Sequence, residues 1–279
     1  MDRMKDRSAL LLAFLLTGLA PIMAQTPSEF PPAEYEAMKT HGTLPANARP
    51  TQVHLDQAEL DSIVAANGGW QRGGGGNEGL CGLWQDPNGC PLSQLPSDDG
   101  SSSLITLPFS FNLYGTNYTS LYINNNGNVT FNAPYSTFSA VPFPNAQFVM
   151  VAPFWADVMT NTTHGGVYYC LSAHALFVNW IDVGYFYDHY DKVNNFQLVL
   201  TDGTDDYIGV GNNVDFSYLD MQWTTGDVGG SNGFGSPAAV VGANLGNGTG
   251  YISIGKFDHA GTDYNGPNGL SGVSWLDYK

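Results

Sequence analysis

Acid–base or metal chemistry in this chain would have to draw on 25 aspartates and glutamates and six histidines. The histidines (His41, His54, His164, His174, His189 and His259) show neither an H-E-x-x-H pair nor another spacing that sets two imidazoles on one metal. Asp188-His-Tyr-Asp191 gathers two carboxylates and an imidazole, but in a polar insertion just past a strand, where a solvated loop is the simpler reading. Asp202-Gly-Thr-Asp-Asp206 departs from the D-x-D-x-D-G order of a calcium loop and reads as a hairpin turn with its acids in water. Glycoside hydrolysis needs two carboxylates flanking one bond, and nothing in the sequence singles out a pair. Gly229-Gly-Ser-Asn-Gly233 has the letters of a nucleophile elbow without the strand before it and helix after it that would raise a strained serine. Gly74-x-Gly76-x-x-Gly79 matches a dinucleotide fingerprint by letter only. No catalytic, cofactor-binding or metal-ligating residue is assigned, and no cofactor is expected.

Aromatic side chains are the one constellation with binding potential. Tyr168, Tyr169, Tyr185, Phe186, Tyr187 and Tyr190, with Asn and Asp interleaved, could stack on sugar rings or anchor a protein partner. Strand alternation turns about half of them inward. Tyr185, Tyr187 and Tyr190 are the expected binding face. Among three cysteines, Cys81 and Cys90 are expected to close a small disulfide loop, because they lie close in sequence and an oxidising compartment favours the bond. Cys170, inside the apolar run Val167 to Leu171, reads as a buried small hydrophobe.

The elements that must position these residues are strands. From Leu104 onward, short apolar and aromatic runs follow one another, and no ten-residue helical pattern interrupts them. Pro108 demotes the middle of its run to an edge or a bulge. Asn126-Gly127, between Leu121-Tyr-Ile123 and Val129-Thr-Phe131, is a hairpin turn because both residues tolerate positive φ. Phe148 to Ala152 lacks alternation, which places it centrally with both faces covered. A second hairpin is expected between Phe196–Leu200 and Tyr207–Val210.

Upstream, Met1 to Ala24 has the basic, apolar and small-residue order of a signal peptide, too short in its apolar run to span a bilayer. Residues 25–97 read as a flexible segment containing a Cys loop and one short helix, opened by the capping box Asp56-Gln-Ala-Glu59. The β domain occupies 98–279. The whole chain carries 9 basic and 25 acidic residues. Removing the first 24 takes away three basic and two acidic ones and leaves a balance of −17. Such a surface repels phosphate backbones and anionic lipid, which excludes nucleic acid as a partner and argues against docking on anionic membranes, and membrane insertion is not expected because no second apolar stretch is long enough to span a bilayer.

In their order and spacing, several of these pieces resemble the nidogen-type extracellular domain, NIDO. They are Pro108-Phe-Ser-Phe111, Ser120-Leu-Tyr-Ile-Asn-Asn-Asn-Gly127, Val151-Ala-Pro-Phe-Trp-Ala-Asp157, Gly166-Val-Tyr-Tyr169, Asn195-Phe-Gln-Leu-Val-Leu200 and Gln222-Trp223. The resemblance covers about Asp98 to Tyr278, and Ala243 departs from it where an aromatic would stand. It implies a mainly β, antiparallel, sandwich-like domain that is secreted and extracellular. It also implies cell–matrix adhesion, with a matrix or cell-surface protein or glycan as partner and no catalytic residues. The alternative is a secreted carbohydrate-active hydrolase or glycan-binding protein.

Overall fold

A computed structural model describes residues 28–52, 56–66, 84–259 and 275–278. The signal peptide, Cys81, His54 and the Gly74–Gly79 pattern lie outside the described residues. The described residues open with β1 (Ser28–Phe30), α1 (Pro32–Thr40), β2 (Ala48–Pro50) and α2 (Gln57–Ala66). Then follow β3 (Ile105–Leu113), β4 (Thr116–Asn124), β5 (Asn128–Thr130), β6 (Met150–Trp155), β7 (Val158–Met159), β8 (Gly166–Leu171), β9 (Ala175–Tyr185) and β10 (His189–Thr201). The last are β11 (Val214–Met221), β12 (Gly230–Ser231), β13 (Phe234–Gly235), β14 (Val240–Asn244), β15 (Tyr251–His259) and β16 (Trp275–Tyr278).

Two antiparallel sheets carry the domain. One is ordered β16-β15-β14-β6-β5-β4-β3, the other β11-β10-β9, with β7 and β8 sharing the far edge of β9. Their facing side chains form one core, including Phe111, Ile123, Phe154, Trp180, Phe196 and Trp223. In β3, five inward residues from Ile105 to Leu113 alternate with exposed ones, the period-2 signature of a half-buried strand. Pro108 points outward there, on the edge strand, within a register shift between Thr106 and Phe111. The middle strand β6 is buried throughout, as its unalternating sequence predicts. Its Val151 and Phe154 face the main core, while Met150, Ala152 and Trp155 face a second cluster built by Phe143 and Phe148 from the β5–β6 loop.

Asn126-Gly127 turns β4 into β5, with Gly127 at φ 72°. A Cβ at Gly127 would stand 1.8 Å from the Phe154 carbonyl oxygen, so close approach as well as backbone freedom requires glycine. The capping box holds too: Asp56 Oδ1 accepts from the Glu59 amide and Glu59 Oε2 from the Asp56 amide, at 2.9 and 2.8 Å.

Two expectations are corrected. Residues 207–210 form no strand, and β10 pairs instead with β11. Ile208 packs on Ala175, Phe177 and Val199, and Tyr207 stands edge-on to Phe177, so this apolar run caps a sheet face instead of extending it. Cys90 is bonded not to Cys81 but to Cys170, 80 residues away. The cause is backbone pairing. Ser93 donates to the Val167 carbonyl and Tyr169 to that of Pro91, so residues 91–93 lie along β8 and set Cys90 opposite Cys170.

Candidate functional site

The three tyrosines expected to form a face are separated by the fold. Tyr185 is buried against Trp223, with its hydroxyl donating to Asp191 at 2.8 Å. Burial, then that bond, pushes its pKa up. Tyr190 is half-buried and stacks on His164. Only Tyr187 is exposed, at 53%. Tyr185 ends β9 on the core-facing side, and alternation removes it from any surface. The Asp202 loop is satisfied internally. Asp202 takes Thr204 and His174 as donors, and these hold its carboxyl down at about 2. Gly229–Gly233 runs through the β12–β13 hairpin, without a helix behind Ser231.

The site that sequence reasoning missed lies around Lys39. Helix α1 starts with Pro32 in its first turn, where a missing amide proton costs nothing, and carries Lys39 in its last turn. It sits in the stretch expected to be a flexible lead-in. Its buried face is short, only Tyr35 and Lys39, and the lysine is 2% exposed. The Lys39 ammonium donates to Asp98 Oδ2 at 2.6 Å, Asp157 Oδ1 at 2.7 Å and Asp99 Oδ2 at 2.9 Å. The rings of Phe138 and Phe186 lie on it, each with its centroid 4.1 Å away. Three donors thus meet three carboxylates, and two aromatic faces exclude water.

The β4–β5 turn braces the acids. Asn126 donates to Asp99 Oδ1 at 2.5 Å, Asn125 donates to the Asp98 carbonyl, and the Val158 amide donates to Asn126. Gly226 packs so closely on Asp157 that a Cβ there would lie 2.5 Å from the Asp157 Cβ. Burial alone would pull the lysine pKa down, but Asp157, Asp98 and Asp99 together hold it well above the ordinary range. Burial pushes Asp157 up to about 7 against the pull of Lys39, and Asp98 well up, with the Asp99 charge adding to it. The only sequence signals were an Asp-Asp pair before the first core strand and a carboxylate closing the apolar run of β6.

Among the described residues, two of the larger cavities open to the surface. One, of about 360 Å³, reaches the rim of this cluster at Glu36, Asp98 and Asp99. The other, about 540 Å³, opens between the sheets and is lined by Leu113, Tyr114, Val214, Phe216, Tyr218, Val241, Ala243, Ile252 and Ile254, with Asn112, Asn213 and Asp215. Tyr114 and Ile252 are half exposed, at 47% and 50%. Ala243 lines it where the resemblance would place an aromatic ring.

Residues 82–264 match the family model described as NIDO related. The chain belongs to the NIDO-related family. It is 33% identical to human alpha-tectorin over 203 residues, covering 62% of this chain and 9% of the relative. It is 34% identical to chicken alpha-tectorin over 188 residues (56% and 8%) and 27% identical to Drosophila nidogen over 165 residues (49% and 12%). The chain therefore spans about a tenth of the length of these relatives. No solved structure matches it. Among the described residues of this NIDO-related chain, no helix is long and apolar enough to cross a membrane.

Proposed function

We propose that this NIDO-related chain is a secreted, extracellular module of matrix type that binds a matrix or cell-surface protein. It takes an apolar side chain of that partner into the 540 Å³ opening beside Ala243. The observation that carries this reading is the opening itself: a mainly apolar concavity between the sheets with exposed Tyr114 and Ile252 at its mouth. Asn112, Asn213 and Asp215 add the few polar groups that orient a bound segment.

A hydrolytic role is the weaker reading. Glu36, Asp98 and Asp99 do converge on a cavity, but their oxygens lie within 4.8 Å of one another, and both aspartates are committed to Lys39. That spacing leaves no room for a sugar between acid and base, and an acid tied to an ammonium is a poor proton shuttle.

The test is capture of matrix and cell-surface proteins by the full chain, beside a glycan array, with Ala243→Trp and Ile252→Glu in parallel. Protein capture by the parent and at least tenfold weaker capture by both variants is expected. Silence in both formats would overturn the binding reading. Capture unchanged by the variants would move the site elsewhere, and signal on glycans alone would replace the partner class.

A further inference from the structure

We infer that Glu36, Asp98 and Asp99 bind a calcium ion that fastens α1 to the β domain. Three carboxylates (Asp98, Asp99 and Asp157) surround a single ammonium and a fourth, Glu36, stands beside Asp98 and Asp99, so Lys39 leaves the cluster short of positive charge. The shortage is local. Asp98 is 7% exposed, and only its Oδ2 is used by Lys39. Its Oδ1 is buried with no N–H or O–H donor among the described residues, and the carboxyl that stands against Asp98 is that of Glu36, so the two acids can meet only through a shared proton or a cation. A buried carboxylate oxygen with no donor is costly, and a cation is what such an oxygen accepts.

The donor set selects the ion. All three ligands are hard carboxylate oxygens, with no histidine or cysteine, which favours calcium or magnesium over zinc or copper. Calcium's bond lengths span about 4.6–5.2 Å from ligand to opposite ligand, whereas magnesium's span about 4.0–4.2 Å and demand an octahedron. Three protein carboxylates drawn from two separate segments suit calcium's flexible coordination better than magnesium's near-ideal octahedron, which keeps most of its waters. The 360 Å³ cavity, which Glu36, Asp98 and Asp99 all line, supplies an entry path and room for the waters that complete six to eight ligands. Glu36 comes from α1 and the aspartates from the loop before β3, so the ion ties together segments far apart in the chain.

The experiment is calorimetric titration of the full chain, stripped with chelator, with CaCl₂ and separately with MgCl₂. One saturable calcium site is expected, at least tenfold tighter than magnesium, with a rise in Tm on calcium addition. Glu36→Gln, at the half-buried rim and outside the Lys39 bonds, should fold with an unchanged near-ultraviolet spectrum and lose at least tenfold in calcium affinity. Asp188→Asn, an acid lining the same cavity outside the triad, should bind calcium within about twofold of the parent. A parent titration without a 1:1 step, Glu36→Gln binding as tightly as the parent, or equal losses in both variants would overturn the assignment.

Discussion

Lys39 places its ammonium 2.6 Å from Asp98 Oδ2, across 59 residues of chain. That bond, with those to Asp99 and Asp157, joins the helix at the start of the described chain to the loop before the sandwich and to the end of its central strand. A fully buried ion cluster of this kind stabilises little by itself, because desolvating the ions offsets most of their attraction. Breaking it from one side is another matter.

Lys39→Met should therefore destabilise the protein by about 3–5 kcal/mol, since it strands three buried carboxylates. Adding Asp98→Asn, Asp99→Asn and Asp157→Asn to Lys39→Met should recover much of that loss. Denaturant unfolding of the parent, the single and the quadruple variant checks both halves of the statement.

The pH dependence has a definite sign. Asp157 is raised to about 7 in the folded state from 3.8, and Asp98 is raised in the same direction. Their folded forms hold protons that the unfolded chain has released, so stability is full below about pH 4 for these groups and falls as pH rises through 7. In chelator, Tm should be higher at pH 5.5 than at pH 7.5, and Asp157→Asn should flatten that slope. A slope unchanged by the substitution would assign it to the acidic surface in general.

Alkylation without reduction should label neither Cys90 nor Cys170, and peptide mapping should find them linked. Cys170→Ala opens a loop of 80 residues and should cost about 2–5 kcal/mol, measured by chemical unfolding under non-reducing conditions.

Gly127→Ala should cost at least about 2 kcal/mol, because it combines positive φ with a Cβ driven against the Phe154 carbonyl. Gly203, also at positive φ but with open space around it, is the matched control, and alanine there should cost about 1 kcal/mol. Thermal melts of the two variants side by side decide whether close approach or backbone conformation dominates.

Much of the sandwich was legible because its signals are local. The alternation of β3, the solid burial of β6 and the Asn126-Gly127 turn each follow from a few consecutive residues. What was not legible depends on partners distant in sequence. Nothing near Cys90 announces Cys170, because the pairing is set by residues 91–93 lying along β8. Tyr207 and Ile208 have strand-like composition, but their apolar area is spent covering the outside of β9 and β10. Nor does anything near Lys39 mark it as different from a solvated helix-terminal lysine. Its environment is assembled from the loop before β3, the residues after β6 and the separate segments that carry Phe138 and Phe186, and proximity in three dimensions has no counterpart in local pattern.

Asp98, Asp99 and Asp157 lie inside the 82–264 stretch that defines family membership, and Lys39 lies outside it. A fragment trimmed to those limits would keep an anionic socket and discard its plug, leaving like charges to repel one another beneath two phenylalanine rings. Its poor behaviour in solution would say nothing about the sandwich. It would be the mark of a cut made on the wrong side of one lysine.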